Sequence, residues 1–120
     1  MQNPQTYQLY ITIKHNINVQ IGRLGRFDFP AGLYVYTGSA KRGMENRLAR
    51  HLSKEKKLRW HIDYLLNHPD VSITKIEKCI ESECEINSKT EGEILVPGFG
   101  SSDCRAQCGS HLKYMSKTIL

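Results

Sequence analysis

Three side chains able to work on a phosphate lie close together in this sequence: Tyr36, Arg47 and His51. A phenol and an imidazole can hold or pass a proton, and a guanidinium presents planar donors that match phosphoryl oxygens. Of the three, the imidazole alone titrates near neutrality without help. Arg47 follows Gly38 of Tyr36-Thr37-Gly38 by nine residues, and His51 lies four residues further on. A strand has to deliver the tyrosine. The stretch from Gly32 to Ala40 alternates β-branched and aromatic residues, as a half-buried strand does. Gly38 then frees the backbone to turn, and Ser39 to Gly43 reads as a short polar loop.

A helix has to deliver the other two. Met44, Leu48 and Leu52 recur every four residues and predict an apolar stripe packed on a sheet. At about 100° per residue, Arg47 and His51 fall beside one edge of that stripe, with Arg50 and Lys54 further out. A solvated amphipathic helix with a basic face has the same pattern. Charge distinguishes the two. From Lys41 to Arg59, eight basic residues face two acidic ones, a local excess of +6 against +5 for the whole chain. So dense a patch points to a polyanion, and nucleic acid fits better than a membrane, because no segment offers the apolar face that interfacial anchoring requires. Lys41, Arg42, Arg50, Lys54, Lys57 and Arg59 are the candidate backbone-binding residues, joined by His61. Several phosphate contacts would make such binding strongly salt-dependent.

Between Glu77 and Glu93 the sign reverses, with six glutamates against two lysines. Such a segment neutralises the patch or sits solvated, and one of its carboxylates is enough to help hold Mg²⁺, which keeps waters and substrate phosphate in its shell. Spacing alone does not select which.

The chain's 120 residues, 39% hydrophobic, correspond to one domain with a single core. No apolar run spans a membrane, and the first residues are polar rather than signal-like, so the expected compartment is the cytoplasm. There the four cysteines are expected reduced or metal-bound. Tyr7 to Ile13 alternates as a strand, Lys14 to Asn16 turns, and Ile17 to Ile21 is expected to return antiparallel to it. Gly22 to Phe29 reads as a glycine-broken connection. Trp60 to Leu66 predicts a second helix ended by Pro69, and Val71 to Ile80 a strand. Ser82 is placed to cap a short helix through Glu85. Pro97 to Asp103 reads as a loop, and His111 to Ser116 as a last strand.

Six blocks in this order resemble a family. They are the strand from Gly32 to Ala40, Arg47 to His51, Trp60 to Leu65, Glu83-Cys84, Pro97 to Cys104 and Ser110 to Leu112. The Tyr36-Thr37-Gly38 and Arg47 pair is similar to the second half of the GIY-YIG nuclease core. From about Tyr7 to Tyr114 the chain resembles a family of small prokaryotic proteins placed in that superfamily, some fused to endonuclease-III-type DNA glycosylases. The resemblance implies an α/β fold, with a small, mainly antiparallel three-stranded core sheet flanked by helices in one domain over 1–120. It also implies a metal-dependent nuclease acting on DNA more readily than RNA, with a place in DNA repair.

On that scheme Tyr36 is the tyrosine of the second motif, Arg47 steadies the scissile phosphate, and Glu83 binds Mg²⁺ or Mn²⁺. Tyr7 fits the first motif better than the literal Gly32-Leu33-Tyr34, which lies one residue from Tyr36 on the same strand. His51 is a rival base or a tyrosine partner. The motif departs from the pattern at Thr37, where the superfamily has isoleucine. Trp60, His61 and Asp63 read mainly as anchors. Two other functions stay open: a non-catalytic nucleic-acid-binding domain on the same fold, and a zinc or thiol module using Cys84, Cys104, Cys108 and His111. Oligomeric state is not specified by the sequence.

Overall fold

A computed structural model describes residues 4–40, 42–53, 57–82, 85–87, 90, 92–99 and 110–116. The longest alternating apolar segments become the strands: β1 (Thr6–Ile13), β2 (Ile17–Ile21), β3 (Gly25–Phe29), β4 (Gly32–Ser39), β5 (Val71–Cys79) and β6 (Leu112–Ser116). The two helices are α1 (Met44–Leu52) and α2 (His61–Leu66).

Four strands form one antiparallel sheet in the order β5-β1-β4-β6, and β2 pairs only with β3 in a separate hairpin. This corrects three expectations. The main sheet has four strands rather than three, Ile17–Ile21 does not return along β1, and most of the supposed connection, Gly25–Phe29, is β3. The reason lies in Gly22 and Gly25, which take positive φ and close a tight turn between Ile21 and Arg26. Within it the backbone N–H of Leu24 donates to the carbonyl of Ile21 at 2.9 Å. Ile17, Ile21 and Phe29 are thereby turned into the core, and polar Asn18, Gln20, Arg26 and Asp28 face out.

One face of the sheet carries Tyr7, Leu9, Ile11 and Ile13 of β1 with Tyr34 and Tyr36 of β4, all buried. Leu48 of α1, Ile62, Leu65 and Leu66 of α2, and Val96 and Phe99 complete this core. β1 is buried on its other face as well, where the Gln8 amide donates to the hydroxyls of Thr37 (3.2 Å) and Thr90 (2.8 Å). Nearby, the Lys113 ammonium donates to the carbonyls of Asn87 and Thr90, 3.1 Å each. These bonds tie the acidic segment to β6 and supply the partners that buried polar groups require.

The stripe predicted for α1 is rotated in the fold. Leu48 is 5% and His51 2% exposed, whereas Leu52 is 57% exposed. The helix starts at Gly43, whose φ of 65° is open to glycine at little cost, and whose carbonyl accepts from the N–H of Arg47 at 2.9 Å. Glu45 pairs with Lys78 of β5. That contact sets Glu45 toward β5, while Arg47 reaches the carbonyl of Ser39 at the end of β4. The rotation turns His51 from the stripe's edge into the core.

Candidate active site

The register of β1 and β4 places Tyr7 directly opposite Gly38. A Cβ at position 38 would lie 2.5 Å from both Cζ and Oη of Tyr7, so the ring occupies the space a side chain would fill. The glycine of Tyr36-Thr37-Gly38 is therefore a cradle for a tyrosine from another strand as well as the end of its own. Lying there, the Tyr7 hydroxyl shares a hydrogen bond of 2.7 Å with Nε2 of His51, either atom donating according to the imidazole tautomer. The two rings stand 5.3 Å apart at 50°. Tyr36, two residues before Gly38 on the same face, meets His51 edge-on at 6.4 Å and Phe99 at 6.2 Å. Tyr7, Tyr36 and His51 thus form one buried cluster. Tyr34 belongs elsewhere, donating its hydroxyl proton to the carbonyl of Pro30 at 2.6 Å. Burial, with Tyr114 adding to it, pushes the Tyr34 phenol well above its ordinary range.

Beside this cluster lies Trp60, which carries two guanidiniums. The Arg47 guanidinium carbon sits 4.5 Å from the ring centroid and that of Arg50 4.2 Å, with Arg59 at 6.0 Å. His51 is 6.0 Å from the same ring. The two close arginines differ in their partners. Arg50 donates to both carboxylate oxygens of Asp63, at 2.8 and 2.9 Å, and to the carbonyl of Lys57 at 2.8 Å. Arg47 donates to the carbonyl of Ser39 at 2.9 Å, and among the described residues it pairs with no carboxylate. The Asp63 carboxylate thus neutralises the charge on Arg50, whereas among the described residues none stands against that of Arg47.

Asp63 has no exposed surface. Besides Arg50, it accepts the backbone N–H groups of Arg59 and Trp60 at 2.9 Å each, folding back over the start of α2 as an N3 acid does. Burial alone would raise its pKa, but the Arg50 pair and the two N–H bonds outweigh that and hold the carboxyl below its ordinary value.

His61 lies 5.7 Å from Phe99, half-buried. Burial lowers its pKa, against an opposing backbone hydrogen bond to Gly98. The folded protein therefore takes up this proton less readily than the unfolded chain. Its contribution to stability is complete above the unfolded value of about 6.5 and is lost as pH falls from there through the folded value. Urea unfolding followed from about pH 8 to about pH 5 is expected to show that decline, and His61→Gln to flatten part of it.

Among the sequence-predicted residues, Tyr7, Tyr36, Arg47 and His51 converge. Arg42, Lys57 and Arg59 are exposed, as backbone-binding residues would be. Arg50 spends its donors within the protein instead. Lys41, Lys54 and Glu83 lie outside the described residues, as do Cys84, Cys104 and Cys108 of the zinc alternative. Among the described residues no cluster of three His, Cys, Asp or Glu side chains is placed to hold a metal ion. His111, the remaining zinc candidate, is 2% exposed beside β4, its carbonyl accepting from Thr37 N–H at 3.0 Å. The sequence reading took Trp60 as an anchor and Asp63 as fixing neighbouring backbone, and Asp63 does accept the N–H groups of Arg59 and Trp60. It missed the guanidiniums of Arg47 and Arg50 over the Trp60 ring and the packing of Phe99.

Fold and site define a small α/β domain in which a sheet and two helices bring tyrosine, histidine and arginine together. The chain belongs to the family described as domain of unknown function DUF123, whose model matches residues 6–119. No curated protein and no solved structure matches it. Among the described residues, no helix is long and apolar enough to cross a membrane.

Proposed function

We propose that this protein is a metal-dependent nuclease of the GIY-YIG type that hydrolyses phosphodiester bonds in nucleic acid, DNA in preference to RNA. The observation that carries this reading is the hydrogen bond of 2.7 Å between the Tyr7 hydroxyl and His51 Nε2, formed beside Tyr36 and next to the Trp60 ring that carries Arg47. Hydrolysis requires a base to take the proton of the attacking water, charge compensation at the phosphoryl oxygens and help for the leaving oxygen. Tyrosine has a reference pKa near 10 and is a poor base alone. An imidazole sharing its proton lets Tyr7 and His51 act together on a water near neutrality. The planar donors of the Arg47 guanidinium match the non-bridging oxygens and bind them. Tyr36 walls the other side of the imidazole. A Mg²⁺ ion on Glu83 would polarise the phosphate and stabilise the leaving oxygen.

A second reading draws on the exposed Arg42, Lys57 and Arg59. These would grip a nucleic-acid backbone without any chemistry, as a binding domain does. Incubating the protein with labelled single-stranded, duplex, flap and branched DNA and with RNA, in Mg²⁺, Mn²⁺ or EDTA, separates the two. Metal-dependent cleavage supports the nuclease. Salt-sensitive binding with every substrate intact supports the binding domain. The resemblance to proteins fused to DNA glycosylases favours a repair substrate.

A further inference from the structure

We propose that Asp63, Arg50 and Trp60 form a positioning clasp that fixes the guanidinium of Arg47 against the tyrosine–histidine cluster. The inference rests on the nuclease reading for its kinetic consequence only.

Two cations share one indole, with guanidinium carbons 4.5 and 4.2 Å from its centroid. Each is attracted to the ring, yet at such separations the like charges repel each other. Asp63 removes that conflict. Its carboxylate takes two donors from Arg50 and two backbone N–H groups, so Arg50 is both neutralised and immobilised. With Arg50 fixed, the indole is held from one contact and Arg47 settles on the same ring. The Ser39 carbonyl, one residue past the Gly38 cradle, supplies the second anchor for Arg47 at 2.9 Å. The guanidinium is thereby tied to the strand that positions Tyr7 and to the helix start that carries Trp60.

Stability alone does not explain this arrangement. A buried ion pair loses solvation that its Coulomb attraction barely restores, and apolar residues of similar size often serve the fold as well. Here one partner is completely buried and the other 23% exposed at the side chain. The same pair fixes the ring on which Arg47 rests, an arginine that pairs with no carboxylate among the described residues. Arg50, Asp63 and Trp60 are therefore positioning residues, acting on the reaction through Arg47.

Trp60 is the chain's single tryptophan, so its fluorescence reports on the clasp directly. Acrylamide quenching is measured for wild type, Arg47→Ala, Asp63→Asn and the Arg47→Ala/Asp63→Asn double variant, with circular dichroism confirming the fold. Asp63→Asn is expected to expose the indole about as much as Arg47→Ala, and the double variant to add little. Should Asp63→Asn fail to fold, Arg50→Lys, which keeps the charge but loses the fork, carries the same comparison. In cleavage, Asp63→Asn is expected to lower kcat about 10- to 100-fold with KM nearly unchanged. Removing the second cation as well, in Asp63→Asn/Arg50→Met, is expected to recover part of that loss, which a merely structural role would not produce. Unchanged quenching in folded Asp63→Asn, or additive quenching in the double variant, overturns the clasp. If wild type cleaves nothing, the nuclease reading falls, and the quenching result still decides this one.

Discussion

Arg47→Ala is expected to lower single-turnover cleavage about 1,000-fold while leaving the fold intact. Loss of one preorganised donor aimed at developing charge typically costs 10²- to 10³-fold, and loss of an arginine on a transferring phosphoryl group 10³-fold or more. In the proposed mechanism Arg47 combines both roles, and among the described residues no carboxylate offsets its charge. Its fold contribution is modest: it is half-buried, with one side-chain hydrogen bond to a backbone carbonyl and a contact with the Trp60 ring at 4.5 Å. Arg47→Lys should recover only a little, since an ammonium brings charge without the fork. Rapid-quench kinetics at saturating enzyme, with thermal unfolding alongside, checks both parts. A loss of less than about tenfold would remove Arg47 from the reaction centre.

The second large effect is expected at Gly38. In Gly38→Ala the new Cβ would sit 2.5 Å from Cζ and Oη of Tyr7, well inside contact distance. Relief by moving the ring is blocked, because Tyr7 is 2% exposed and packed within the core. Overpacking of this kind costs about 1–3 kcal/mol, occasionally more. Moving the ring also breaks the bond to His51, so cleavage should fall in the molecules that still fold. Tyr7→Phe/Gly38→Ala makes the two origins separable, since it loses the hydroxyl and its share of the clash but keeps the clash with the ring carbons, 2.5 Å at Cζ. Urea unfolding should place both alanine variants well below Tyr7→Phe. Equal stability of Gly38→Ala and wild type would show that β1 and β4 separate easily at this point.

The sequence made the delivery elements legible and left their convergence hidden. Alternation over Tyr7–Ile13 and Gly32–Ser39 marked two strands because their side chains are sorted by face. It could not show that these strands are neighbours in a register that sets Tyr7 over Gly38, since pairing is a long-range property. The hairpin was misread for a local reason: glycine at 22 and 25 looked like a break, whereas positive φ makes it a turn. For α1, spacing placed His51 at an edge, but the helix sits over the end of the sheet where Glu45 meets Lys78 of β5 and Arg47 meets Ser39 of β4, and in that orientation His51 is buried. Arg50 counted as a binding residue because charge along a sequence does not reveal a buried carboxylate thirteen residues away. Tyr36, Arg47 and His51 were legible together because a strand, one turn and one helix deliver them within sixteen residues.

The most direct test compares wild type with Tyr7→Phe in single-turnover cleavage of duplex and branched DNA, with Mg²⁺ or with EDTA. The substitution deletes one oxygen, leaving the ring in its cradle and Arg47 in place. The account predicts Mg²⁺-dependent cleavage by wild type and a loss of about 100-fold or more in Tyr7→Phe, with a fold that persists at a cost of about 1–3 kcal/mol for the lost buried bond. Cleavage by Tyr7→Phe at the wild-type rate, or intact DNA with both proteins, would contradict it.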